Sequence, residues 1–283
     1  MNKAIVIGAS GQLGQCLQAV VKEKNAGNFI FLSRKEADIA DEDSLRSAFT
    51  THAPAYCINC AAYTAVDKAE DEPEVSRQIN RDGVISLSKL CREFGTTLIH
   101  ISTDFVFSGN SLHPLSETDD TAPVNIYGAT KLEGEQAIPG YIPNYFILRT
   151  SWLYSEFGNN FVKTMLRLGR EKDELRVIWD QIGTPTYAMD LAEVIFHIIE
   201  TNNTAYGIYH YSNEGLTSWY DFAKAIFELS HIPVRVVPVR TSEYITKAKR
   251  PAFSVLEKTK AKQNLGIKIP HWRESLKTCL SRM

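Results

Sequence analysis

Cysteine is scarce in this chain: five in 283 residues, Cys16, Cys57, Cys60, Cys91 and Cys279. An odd count argues against a disulfide framework and fits a reducing compartment. Cys57-Ile-Asn-Cys60 has the spacing of a zinc or redox pair. On a strand, however, positions i and i+3 face opposite sides, and no second Cys or Cys/His pair stands at metal spacing, so buried thiols and no metal site are expected. Charge of one sign is lacking too. Lys and Arg number 31 against 33 Asp and Glu, a formal net charge of −2, which leaves no basic excess for nucleic acid or an anionic membrane surface. No apolar run approaches the roughly 20 residues of a membrane span, and Met1-Asn-Lys3 passes directly into a strand-like run without a signal-peptide core. A cytoplasmic protein without nucleic-acid or membrane partners is expected. Repeats, low-complexity tracts and flexible linkers are missing as well.

What is present is an ordinary globular composition, 44% apolar and 23% charged, long enough to bury a sizeable core. Through the first 150 residues, short apolar runs alternate with helical stretches: Ala4 to Ile7, Phe29 to Leu32, Tyr56 to Asn59, Leu98 to Ser102 and Phe146 to Arg149. That rhythm predicts an α/β fold with a Rossmann-type, doubly wound parallel sheet. The first run leads into Gly8-Ala-Ser10-Gly11-Gln12-Leu13-Gly14. Gly8 permits a tight turn, Gly11 a close approach of backbone to a pyrophosphate, and Gly14 close packing of the helix that follows, whose first amides attract phosphate. Ligands of such sheets bind beyond the carboxyl ends of the strands, so Gly8, Ser33, Asn59 and Thr103 should open onto one crevice.

Past Trp152 the organisation changes. Phe161 to Leu168 and Ala188 to Glu200 read as helices, Gly207 to Tyr211 as a strand, and Ser218 to Leu229 as an amphipathic helix with a Ser N-cap. Proline-punctuated segments follow. Residues 1–150 are therefore expected to form a dinucleotide-binding domain, rejoined by parts of 181–206, and 151–283 mainly a smaller C-terminal α/β lobe for substrate.

The chemistry centres on Tyr127-Gly-Ala-Thr-Lys131. On a helix, i and i+4 share a face, so the Lys131 ammonium is expected to lower the Tyr127 pKa and make the phenol a proton donor. Tyr-x-x-x-Lys alone also occurs by chance on helix surfaces; its context is what singles it out. Thr103, in Ser102-Thr103-Asp104-Phe105, places a hydroxyl at the end of the fourth strand, where it can bond a substrate carbonyl. Strand two ends in Ser33-Arg34-Lys35 with no acid for a ribose 2′-hydroxyl, which favours a 2′-phosphate, although a basic pair there also suits a solvated turn. Cys60, Ala61 and Ala62 are small enough for a cofactor to approach the backbone.

The glycine spacing G-x-x-G-x-x-G together with Tyr-x-x-x-Lys resembles the extended short-chain dehydrogenase/reductase superfamily, and motifs along nearly the whole chain are similar to its nucleotide-sugar reductases. Among them are Asn59 to Glu70, Ile101 to Phe107, Gly158-Asn-Asn-Phe161, Asp180 to Pro185 and Ala248-Lys-Arg-Pro251. The resemblance implies NADPH-dependent reduction, with NADH as the alternative, of the C4 keto group of a dTDP-linked 6-deoxy-hexulose. Thr103, Tyr127 and Lys131 would be catalytic. It also implies that Asp38 and Ile39 lie against adenine, that Asn80 supports Lys131, that Val66, Asp104 and Trp152 line the sugar pocket, and that Asn160, Lys163 and Arg250 serve the nucleotide diphosphate. Trp152 could equally be core. Dehydration is not expected, because the related 4,6-dehydratases carry Asp-Glu after the threonine and this chain has Asp104-Phe105. Some members dimerise around magnesium held by glutamates, one of them in the first helix; here that stretch reads Gly14-Gln-Cys-Leu17, so monomer and homodimer both stay open. Another keto-sugar reductase, an epimerase-reductase, and a silent NADP-binding subunit are the competing readings.

Overall fold

The computed structural model describes residues 3–283; Met1 and Asn2, part of the start read above as signal-free, lie outside the described residues. The chain begins with β1 (Ala4–Ile7), α1 (Gln12–Glu23), β2 (Phe29–Leu32), α2 (Glu42–His52) and β3 (Tyr56–Asn59). Then come α3 (Val66–Ala69), α4 (Pro73–Arg77), α5 (Gly83–Phe94), β4 (Thr97–Thr103), α6 (Ile126–Tyr141) and β5 (Tyr145–Thr150). Between α4 and α5 the helix widens into a π-helical segment, Gln78–Asp82, a form that often marks a functional position.

The second half adds β6 (Leu153–Tyr154), α7 (Phe161–Glu171), β7 (Glu174–Ile178), β8 (Ile182–Gly183), β9 (Thr186–Tyr187), α8 (Ala188–Glu200) and β10 (Gly207–His210). It ends with β11 (Thr217–Ser218), α9 (Trp219–Leu229), β12 (Arg235–Val239), α10 (Thr259–Leu265) and α11 (Trp272–Ser281).

Six strands make one parallel sheet in the order β10-β5-β4-β3-β1-β2. Both faces are covered, which is why its strands are apolar without alternation. Ala4, Val6, Ile58 and Leu148 point into a core shared with α1 and α8, while Ile5, Ile7, Cys57 and Ile147 face α2 and α5 on the other side. The sixth strand comes from beyond residue 200. The chain leaves the sheet after β5, returns through α8, which packs on α1, and then adds β10 beside β5. The returning segment thus reaches Gly207–His210, past the 181–206 stretch expected from the sequence. The smaller lobe is built on β7 paired with β12 in parallel and β8 paired with β11 in antiparallel fashion, with α7 and α9 packed together. All five cysteines are free thiols, and burial pushes the Cys60 thiol up to about 12. No helix among the described residues is long and apolar enough to cross a membrane.

Candidate active site

The turn after β1 fits a dinucleotide phosphate. Gly8 has φ +80°, and a Cβ there would stand 2.7 Å from the Ala61 amide nitrogen, so the Gly8 turn and the Cys60-Ala61 backbone close on each other only without a side chain. A Cβ on Gly14 would sit 2.6 Å from Ala9, which is how α1 starts tight against the turn. Gly11 is the N-cap of α1 and brings no side-chain hydrogen bond to it, leaving the first amides of the helix to a ligand. Ser10 is exposed and Leu13 buried at this turn. At the end of β2, the Ser33 amide and hydroxyl donate to Glu36, and Arg34 pairs with Asp38 at 3.0 Å while remaining largely exposed. Asp38 also caps the Ala40 amide, and Ile39 is buried under Gly83.

The first turn of α6 positions the tyrosine. Asn125 caps it, accepting from the Gly128 amide at 2.8 Å, and the Glu70 carboxylate accepts from the Ile126 amide. A Cβ at Gly128 would fall 2.2 Å from the Phe105 carbonyl oxygen, so only glycine lets α6 approach the end of β4 this closely. The consequence is a compact group. The Tyr127 ring meets Phe105 edge-on at 5.6 Å, its phenol lies beside Thr103, and Thr103 Oγ1 donates to Asp104 Oδ1 at 3.1 Å.

Electrostatics at this group differ from the sequence expectation. Enclosure pushes the Tyr127 phenol up to about 12, opposed by the Thr103 hydroxyl and reinforced by the Asp104 charge. Lys131 does not lower it. Its Nζ is turned inward, donating to the Ile101 carbonyl oxygen at 2.7 Å and lying 3.2 Å from His100 Nε2, and burial brings its own pKa down to about 8. The Asn80 amide bridges the Tyr63 backbone, Ser76 and Thr130, tying the π-helical segment to α6.

Asp104 is 2% exposed, and burial raises its carboxyl from 3.8 to about 6 against the opposing hydroxyls of Ser254 and Thr103. A carboxyl whose folded pKa is raised stabilises the fold below its unfolded pKa and loses that contribution as pH rises through about 6. At 1.36 kcal/mol per unit, the ionised form at pH 8 costs on the order of 3 kcal/mol. Asp104→Asn is therefore expected to raise the unfolding free energy at pH 8 by about 2 kcal/mol, with the gain shrinking below pH 6. Urea titrations at pH 8 and pH 4.5 check this, and a gain equal at both would remove the buried charge as its cause.

Beside Phe105 opens a cavity of about 320 Å³, lined by Asp67, Trp152, Trp219, Gln181, Arg250 and Ser254 among others. Trp152 holds φ +47°, an unfavourable backbone for a bulky residue, and stacks on Trp219 with ring centres 3.6 Å apart and planes 8° apart. Gly183 makes room for it, since a Cβ there would be 2.6 Å from the indole. Arg250 reaches the cavity from the 248–251 strap and grips Asp67 through both carboxylate oxygens at 3.1 and 2.7 Å. Val66, expected on the sugar pocket, starts α3 one residue before Asp67, and it is Asp67 that lines the cavity.

Two expected diphosphate residues stand apart from this cavity. Asn160 caps α7 and donates to Gln12 and to the Ser155 carbonyl, because its amide is what closes the turn before the helix. Lys163 donates to the Glu156 carbonyl and faces a separate hollow with Arg167 and Arg282. Asp67, Trp219 and Gln181 were missed as candidates. Asp67 lies inside the Asn59 to Glu70 motif, and Trp219 follows the Ser218 cap, so each carried a signal only as part of a longer pattern.

Comparison with known proteins bears on this arrangement. The family profile described as the RmlD substrate binding domain matches residues 2–283. A dTDP-4-dehydrorhamnose reductase of Aggregatibacter actinomycetemcomitans is 41% identical over 98% of both chains. The spore coat polysaccharide biosynthesis protein SpsK of Bacillus subtilis is 43% identical, over 99% of this chain and 97% of its own. Among solved structures, the dTDP-4-dehydrorhamnose reductase of Bacillus anthracis in complex with NADP superposes with a TM-score of 0.95 at 40% identity, covering 100% of this chain and 99% of that one.

Proposed function

The chain belongs to the family of dTDP-4-dehydrorhamnose reductases, and on that premise we propose how its own residues divide the reaction. It is an NADPH-dependent oxidoreductase that reduces the C4 keto group of dTDP-6-deoxy-L-lyxo-4-hexulose to give dTDP-L-rhamnose, a precursor for polysaccharide. NADPH, when bound, supplies the hydride that C4 receives. Gly8, Gly11 and Gly14 shape its phosphate site, Cys60 to Ala62 lie beside that turn, and Ser33 with Arg34 stands where a 2′-phosphate would be read.

The observation that carries the residue assignment is the Tyr127 phenol held protonated beside Thr103, its ring edge-on to the Phe105 that lines an aromatic-walled cavity. Tyr127 donates its proton to the C4 oxygen as negative charge develops there, and Thr103 orients that oxygen by turning its hydroxyl proton to it from Asp104. Lys131 then returns a proton to Tyr127, for which its Nζ must leave the Ile101 carbonyl. Asp104 stands beside Thr103 for a sugar hydroxyl, while Trp152, fixed by Trp219, offers an apolar face to the deoxy side of the ring. Arg250 exchanges part of its grip on Asp67 for the diphosphate, whose oxygens match its planar fork. Residues 151–283 outside the returning segment serve as the substrate lobe.

The deciding assay is NADPH oxidation with enzymatically generated dTDP-6-deoxy-L-lyxo-4-hexulose. Stoichiometric dTDP-L-rhamnose is expected; tight NADPH binding without any turnover would overturn the reading.

A further inference from the structure

Behind Lys131 lies a buried polar chain that the mechanism above does not use. His100, on β4, is fully buried, with Nε2 3.2 Å from Lys131 Nζ and Nδ1 3.1 Å from Asn59 Nδ2. Asn59 cannot turn its oxygen to the ring, because Asn59 Oδ1 already accepts from the Ala61 amide at 3.1 Å, and a backbone N–H only donates. Its NH₂ group therefore donates to His100 Nδ1. A neutral imidazole has one proton, and with Nδ1 accepting it must sit on Nε2, facing Lys131. Burial and the Lys131 charge hold the ring well below its ordinary pKa, so it is the neutral form that faces the lysine.

That proton placement sets which state of Lys131 is satisfied. Facing an ammonium, His100 Nε2–H is a donor against a donor; facing a neutral amine, it donates to the nitrogen lone pair. The other charged and titratable groups around Lys131 are Tyr127 and Glu135 on its own helix, with Arg149 of β5 paired to Glu135, and Asp104 beyond Tyr127 at the end of β4.

Resting on the reductase reading, we infer that His100 is a positioning residue which, held by Asn59 in the Nε2–H tautomer, stabilises the neutral amine that Lys131 becomes during turnover. The proton balance is complete. Tyr127 O–H breaks as its proton bonds the C4 alkoxide; the Lys131 ammonium leaves the Ile101 carbonyl to give the tyrosinate a proton; back beside His100, the resulting amine accepts from Nε2–H until solvent reprotonates it. The network makes Lys131 a readier donor in the step that resets the tyrosine.

The first test is the ¹⁵N spectrum of the full-length protein labelled at histidine, with the His100 signals identified by their loss in His100→Gln. Nδ1 is expected to be bare and Nε2 protonated; a protonated Nδ1 overturns the inference whatever the enzyme's activity. The second is the pH profile of kcat for sugar reduction. His100→Phe, which removes the donor, should move the basic limb up by about one pH unit and lower the plateau about tenfold, with KM for NADPH little changed. His100→Gln, whose amide can still donate toward Lys131, should restore most of both. A His100→Phe profile superposable on that of the unaltered enzyme would overturn the inference, and so would a His100→Gln profile displaced as far as that of the phenylalanine variant. Failure of the unaltered enzyme to turn over would instead count against the reductase reading, and the tautomer would still decide the role of His100.

Discussion

Tyr127→Phe is expected to lower kcat for keto-sugar reduction by about 10²-fold or more while leaving NADPH affinity nearly unchanged. The substitution deletes one oxygen. The ring remains to meet Phe105 edge-on, the α6 cap at Asn125 is untouched, and Thr103 keeps its bond to Asp104. What is lost is the proton that is transferred to the C4 oxygen in the proposed mechanism. A phenol pushed up to about 12 is not an acidic donor in the ground state. It need not be, because an alkoxide is a stronger base than the phenolate left behind, so the transfer is favourable once hydride has arrived. This timing predicts a loss in kcat and kcat/KM together, with no compensating fall in KM. Steady-state kinetics and a cofactor-binding titration measure the two halves; full turnover in the variant would remove Tyr127 from the chemistry.

The second large effect lies two helical turns further on. Glu135 and Arg149 are almost wholly enclosed, 2% and 4% exposed, and meet through three contacts between 2.7 and 3.1 Å, with the Phe107 ring 5.2 Å from the guanidinium carbon and His210 at 3.4 Å. Glu135→Ala would leave a permanent guanidinium charge in that enclosure, facing a neutral histidine that cannot replace a carboxylate. Loss of about 3–5 kcal/mol of unfolding free energy is expected. Replacing both partners at once, Glu135→Leu with Arg149→Met, should recover most of it, since the penalty comes from the orphaned charge rather than from the bond itself. Urea unfolding of the three proteins provides the comparison, and a single variant as stable as the unaltered protein would mean the charge has found water. Glu135 also holds the Lys131 pKa up, so its loss should leave the lysine still less protonated near pH 8.

Local pattern told much of the fold because the parallel strands are short, apolar and bounded by turn chemistry. Ala4–Ile7, Phe29–Leu32 and Tyr56–Asn59 needed nothing beyond their own residues, and the helix read over Ala188 to Glu200 spans those residues in the structure. What periodicity could not supply was partnership. Gly207–His210 reads as a strand from its sequence, but only the shape of the whole sheet places it beside β5. The π-helical widening at Gln78–Asp82 left no compositional trace, because the extra residue is accommodated by packing on α6.

At the site, residues on regular elements were legible: Thr103 at a strand end and Tyr127 on the first turn of a helix lie side by side. Direction was not. The i, i+4 rule put Lys131 on the correct helix face, yet its flexible stem turns the ammonium to the Ile101 carbonyl rather than to the phenol. Asn160 and Lys163 lean away from the cavity for a related reason, since a motif fixes spacing along the chain and not the hollow a side chain enters. Asp67 and Trp219 became visible only once two distant segments closed on one hollow.

The sheet's borrowed edge strand bears on how such enzymes can be recombined. Because α8 and β10 complete the six-stranded sheet while β7, β8, β11 and β12, which lie before and after them in the chain, pair outside it, the chain beyond residue 150 is not a detachable tail. A single-crossover chimera near residue 150 would pair one parent's sheet with the other's edge strand and covering helix. Grafting a foreign sugar specificity onto this framework calls for at least two simultaneous exchanges, within 151–187 and 211–258, with 188–210 and α10, which packs on β10, kept native.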